Sequence, residues 1–177
     1  MEVRITREQM LKARTYLPLA EKNALLERAD RCFDRLAIQS DGEPMPPMWK
    51  ENSGLRARYL MSALASYFPL PFRHEGDDPL LMTAEDFDRF GESHLLMQIE
   101  RFKKDEATRD KAYDLLFDYR SLERCFDREI RALLDVQNDA VIRQAQMTRT
   151  ALGELPGLME QLRTMQEGKK EAGEHGA

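Results

Sequence analysis

From Glu92 to Leu152 the chain contains no glycine and no proline, 61 residues without a strong helix breaker. As one straight helix this run would extend about 90 Å at 1.5 Å per residue. A compact body of this chain length has a radius of gyration of about 16 Å. The run therefore bends back on itself or stands out as an arm, and the frame is helical in either case. Leu and Met dominate the apolar residues while Val and Ile are scarce, which favours helix over sheet.

Local signals divide the rest. Thr6 and Gln9 have capping-box spacing, which predicts a short helix from Arg7. Pro18 suits the first turn of a second helix, whose apolar face would take Leu25, Leu26, Ala29, Cys32, Phe33 and Leu36. Ser40 to Pro47 holds Gly42, Pro44, Pro46 and Pro47 and reads as a loop. Asn52 or Ser53 can cap a third helix through Leu55, Tyr59, Leu60, Leu64 and Tyr67, and Thr83 with Asp86 can cap a short one ending near Gly91. The charged segment Asp105 to Asp110 has poor periodicity and predicts a break in the long run. Beyond it Leu115, Tyr119, Leu122, Phe126, Ile130 and Leu133 share one face. Gly153, Pro156 and Gly157 should end that helix, followed by a short one over Leu155 to Met165 and a disordered polar tail over 168–177. Only Val3 and Ile5 hint at a strand. The expected fold is all-α: an irregular bundle of six to seven helices with a long C-terminal helix, forming one domain over residues 1–167.

Charge and cysteine content narrow the function. The formal net charge is -5, so any anion binding must come from a local patch. No apolar stretch has the length of a signal peptide or a membrane span, and the two cysteines, Cys32 and Cys125, do not make a disulfide framework. A cytoplasmic protein with reduced thiols is expected.

Local basic patches are present. Arg120, Arg124, Arg128 and Arg131 fall within a strip about 80° wide on a helical wheel, opposite the Tyr119–Leu122–Phe126–Ile130 face. Arg28, Arg31 and Arg35 form a similar strip on the predicted second helix. Guanidinium forks suit phosphates and carboxylates, so either strip can bind nucleic acid or an acidic protein surface. The bland alternative is a solvated face neutralised by Glu123 and Asp127 through pairs of about 0.2–0.5 kcal/mol. Arg31-Cys32-Phe33-Asp34-Arg35 recurs as Arg124-Cys125-Phe126-Asp127-Arg128. Either these are two equivalent patches or two amphipathic segments with similar needs. Trp49, in a Met- and Pro-rich stretch, suits a partner anchor or a lid over the core.

Catalytic signals are weak. His74, Glu75, Asp77 and Asp78, with Glu92 and His94, form the densest set of potential ligands, but their spacing fits no metal motif and a solvated loop explains them better. Ser62 and Ser66 have no nearby base, neither cysteine has a histidine neighbour, and there is no glycine-rich phosphate loop. No metal, cofactor or catalytic residue is expected.

The stretch Ile5 to Lys22 (ITREQMLKARTYLPLAEK), together with Arg31-Cys32-Phe33-Asp34, resembles the start of small proteins carried by prophages of gut Firmicutes, most of all a group of type II-A anti-CRISPR proteins. The resemblance implies a protein that binds a CRISPR-associated RNA-guided nuclease and blocks cleavage without catalysis. It assigns no functional residues and does not reach the long helical run. Such a nuclease holds its nucleic acids in positively charged channels, which Asp30, Asp34, Asp114, Asp118 and the loop Glu75 to Asp78 can complement. The arginine strips would instead touch guide, DNA or an acidic face. The alternatives are a phage structural or assembly protein that forms a homodimer or larger oligomer through its long helix and, last, a metal-dependent helical enzyme using His74, Asp77, Asp78 and His94.

Overall fold

The computed structural model describes residues 3–36, 39–40, 43–44, 48–68, 70–92 and 94–174. Contacts divide the chain into two compact units, one of Met1–Arg35 with Trp49–Asp135 and one of Leu36–Met48 with Val136–Ala177.

The first unit opens with α1 (Arg7–Lys12). Its capping box is complete: Gln9 N donates to Thr6 Oγ1 at 3.2 Å and Thr6 N donates to Gln9 Oε1 at 2.9 Å. Pro18 occupies the position just before α2 (Leu19–Leu26), one residue ahead of the first turn, and makes no side-chain cap bond. That helix does not reach Leu36 as its periodicity predicts. It gives way to a 3-10 turn (Ala29–Arg31) and then to strand β1 (Phe33–Leu36), which lies beside β4 (Met48–Glu51). The cause is Asp78, a buried carboxylate that takes Arg28 Nε at 3.1 Å and Arg31 Nη1 at 2.8 Å. A buried charge must be paired, and this outweighs the modest gain from continuing an amphipathic helix.

Asn52 Oδ1 accepts from Leu55 N at 2.9 Å and starts α3 (Ser53–Ala65), which buries Tyr59, Leu60, Ala63 and Leu64. A hairpin follows, β5 (His74–Glu75) paired antiparallel with β6 (Asp78–Met82). Its turn is Gly76-Asp77, with Gly76 at φ +57°, a conformation glycine adopts without a Cβ clash. Thr83 Oγ1 accepts from Asp86 N at 3.3 Å ahead of α4 (Ala84–Glu92). Then come α5 (Leu95–Phe102) and, after a break in the predicted charged segment, α6 (Arg109–Glu174).

The all-α bundle of six to seven helices is therefore corrected. Short strands interleave with the helices: besides β5–β6 and β1–β4, β2 (Gln39–Ser40) pairs antiparallel with β3 (Glu43–Pro44). Most of the expected loop over Ser40 to Pro47 (41–42 and 45–47) lies outside the described residues. Val3 and Ile5, the expected strand, lie in none. The Gln98 side chain instead bonds both of their backbones, accepting from Ile5 N at 2.8 Å and donating to Val3 O at 2.9 Å.

The core of the first unit forms where α6 meets α3. Ala112, Leu115, Leu116, Tyr119, Leu122, Phe126 and Ile130 are buried along one side of α6. Edge-to-face ring pairs join α6 to α3 through Tyr59–Phe126 at 6.3 Å and to the turn after α3 through Tyr67–Tyr119 at 6.5 Å. A polar contact fixes the register. Asp118 accepts from Leu17 N at 3.0 Å, from Tyr67 Oη at 2.7 Å and from Lys22.

In the second unit α6 runs through Pro156, so the helix does not end at Gly153–Gly157 as expected. A proline forfeits one helical bond, at about 3 kcal/mol, and continuity keeps the others. Of the expected tail, residues 168–174 belong to α6 and 175–177 lie outside the described residues. Among the described residues no helix is long and apolar enough to cross a membrane.

Burial alone would raise the Asp118 carboxyl, but the hydrogen bonds from Lys22, Tyr67 and Leu17 outweigh it and hold it below the ordinary range. Asp78 behaves likewise: burial opposes ionisation, and the Leu80 amide, Tyr59 and Arg28 overcome it. A carboxyl lowered in the folded state stabilises fully above its unfolded value, about 3.9, and loses that contribution as pH falls through its folded value. Urea midpoints should therefore drop steeply below about pH 4. Asp118→Asn should cost about 1.5–3 kcal/mol at neutral pH, the scale of bonds to a charged group, and flatten the acid limb.

Candidate functional site

The side of α6 that faces away from the core carries the candidate site. At 100° per residue Tyr113, Phe117, Arg120, Arg124, Arg128 and Arg131 fall within one strip about 80° wide. All six are exposed. Tyr113 is 54% exposed and Phe117 is 74% exposed, values that decide the matter because such rings are normally covered. The strip spans about 27 Å of helix.

The loop after α5 adds a cation. Lys103 Nζ sits 4.7 Å from the centre of the Tyr113 ring. Lys103, Tyr113, Leu116, Phe117, Arg120, Glu123 and Arg124 line an open groove of about 550 Å³. Glu100 of α5 braces one side, accepting from Arg120 Nη2 at 2.7 Å and pairing with Lys103 at 2.6 Å.

Two acids beside the strip, Glu123 and Asp127, are drawn off it, while Asp110 and Asp135 stay exposed at its two ends. Arg56 of α3 grips Asp127 with two bonds, Nε–Oδ1 at 2.6 Å and Nη2–Oδ2 at 2.8 Å, and lies 3.6 Å from Glu123. The Asp127 hydrogen bond raises the Arg56 pKa further. Arg124 bonds only the Arg120 carbonyl, at 3.2 Å, and among the described residues Arg124, Arg128 and Arg131 have no ion-pair partner. The helical pairs that would make this a self-neutralised face are thus replaced by pairs to another element.

The second arginine strip is not assembled. Arg28 and Arg31 are committed to Asp78, and Arg35 lies exposed in β1. The two copies of the repeated pentapeptide accordingly differ, one in a turn and strand and the other within α6. Trp49 is half-buried in β4 and packs against the core.

Of the acidic residues expected to meet a basic channel, Asp30, Asp34 and Asp114 are exposed, while Asp78 and Asp118 are engaged internally and Glu75 pairs with Arg58. Among the described residues no three His, Cys, Asp or Glu side chains come together as metal ligands. His74 lies in β5 and His94 precedes α5, while the Glu92 side chain falls outside the described residues. Cys32 is buried, and burial, with Glu51 next, pushes its thiol up to about 12. Such a thiol is protonated and a poor nucleophile at neutral pH.

Sequence reading finds the four arginines but overlooks Tyr113 and Phe117, although the same spacing of three and four carries back from Arg120 to both. It also overlooks Arg56 and Lys103, which reach the face from other elements.

No protein-family model, curated protein sequence or solved structure matches this chain.

Two phenylalanines on one helix provide a direct test of its sidedness. Phe126→Ala should destabilise by about 3–5 kcal/mol, as a fully buried ring does. Phe117→Ala should change stability by no more than about 0.5 kcal/mol. Chemical denaturation of the two variants checks both values. Arg56→Ala should cost about 1–3 kcal/mol by leaving Asp127 and Glu123 unpaired.

Proposed function

We propose that this is a non-catalytic binding protein that engages its partner through the exposed face of α6, and that the partner is a CRISPR-associated RNA-guided nuclease whose cutting it inhibits. One observation carries the binding reading: two aromatic rings and three arginines without ion-pair partners lie in line on an exposed helix face. Exposed rings and arginines are the residues from which interface hot spots are made. The choice of nuclease rests on the likeness of residues 5–22 and 31–34 to anti-CRISPR proteins. It suits a face that can meet guide, DNA or an acidic protein surface.

The test is a guided-cleavage assay. Near-stoichiometric protein should suppress cutting by at least one type II nuclease, and the Arg124→Glu, Arg128→Glu double variant should lose that effect while keeping its denaturation midpoint. Full cutting at large excess across several orthologues contradicts the nuclease as partner.

A second reading has its own support. Leu152, Leu155, Met159 and Leu162 are exposed on the distal part of α6 at spacings of three, four and three, the pattern of a coiled-coil seam. An assembly protein would use it to join copies of itself. Light scattering showing a dimer or larger species that Leu155→Asp, Leu162→Asp dissociates would favour this reading, and a monomer at all concentrations would remove it.

A further inference from the structure

We infer that the α6 face is a site for single-stranded nucleic acid, with bases stacked on Phe117 and Tyr113 and the phosphate backbone following Arg124, Arg128 and Arg131. This inference rests on the reading of that face as the binding surface and names the ligand class it takes.

Charge comes first. Around the groove Glu100 is shared by Lys103 and Arg120, and Glu123 and Asp127 are held by Arg56. Glu100, Glu123 and Asp127 are thus spent on other cations, and Arg124 in the groove and Arg128 and Arg131 beyond it have no ion-pair partner among the described residues, while Asp110 and Asp135 stay exposed at the two ends of the strip. A chain of net charge -5 thus presents, between those two carboxylates, a linear positive track. A linear track fits a linear polyanion.

The rings decide which polyanion. Phe117 and Tyr113 stand at one end of the track, side by side at positions i and i+4, with Lys103 over the tyrosine. An acidic protein surface would satisfy the arginines and leave both rings against water. A duplex offers phosphates, but its base faces are already stacked on one another. A single strand offers both: every base has a face for a ring, and its own phosphates reach the adjacent cations. Aromatic platforms beside a basic groove are the common means of holding single strands with little sequence preference. The length also fits, since about 27 Å of helix is on the scale of the roughly 4–16 nucleotides that single-strand sites cover.

Fluorescence anisotropy with the full chain and a labelled single-stranded oligonucleotide of about a dozen nucleotides, within the range such sites cover, tests this. DNA and RNA versions of one mixed sequence distinguish the two sources of strand. Binding of at least one is expected at low salt, with log K falling against log salt at a slope of about -2, as three phosphate contacts imply. Arg124→Glu, Arg128→Glu should abolish it. Phe117→Ala, which leaves the charge unchanged, should weaken it about tenfold, the scale of one lost stack. Four results would each overturn the assignment: no binding of either strand, equal binding of the matching duplex, equal competition by polyglutamate, or unchanged binding by Phe117→Ala. The nuclease reading fails separately. Strand binding with uninhibited cleavage leaves the ligand class intact and removes the nuclease. Inhibition without strand binding does the reverse.

Discussion

Everything in the first unit follows from the fact that the first part of α6 buries one side. Leu115, Leu122, Phe126 and Ile130 are withdrawn from water in the core, with Phe126 against Tyr59 of α3, each contributing about 1.5–3 kcal/mol. A helix so anchored cannot rotate to hide its other side. Tyr113 and Phe117 are held out because turning them in would expose that stripe. The exposed rings are a consequence of the packing and cost little local stability.

Polar contacts convert this packing into one register. Asp118 ties α6 to the start of α2 and to the end of α3 through Tyr67, and Arg56 ties α3 to Asp127. The second of these has an effect beyond stability. It consumes carboxylates that would otherwise sit three or four residues from arginines on the same helix and cancel them. A positive face in an acidic chain thus depends on an arginine from another element. Asp78 works in the opposite direction on Arg28 and Arg31, drawing two cations away from the surface and removing what would have been a second face.

The features legible in the sequence are those set within a few residues. The Thr6, Asn52 and Thr83 caps, the break after Phe102 and the buried stripe of α6 all follow from spacing alone. The β5–β6 hairpin was equally local, marked by Gly76-Asp77, and was obscured because the prolines and acids around it suggested a plain loop. The end of α2 was not legible. Residues 25–36 have good helical periodicity, and only a carboxylate 47 residues beyond Arg31 breaks it. The same limit applies to the site. Its arginines and rings share one periodicity and can be read from α6 itself, whereas the neutralising role of Arg56, 71 residues from Asp127, required the fold.

The central claim is the sidedness of α6: rings and arginines in water on one side, the core on the other. Hydroxyl-radical footprinting of the free protein, read residue by residue by mass spectrometry, measures it. Tyr113 and Phe117 should oxidise rapidly, and Tyr119 and Phe126 only as fast as the protein unfolds. Slow oxidation of Phe117, or comparable rates for all four rings, would contradict the account.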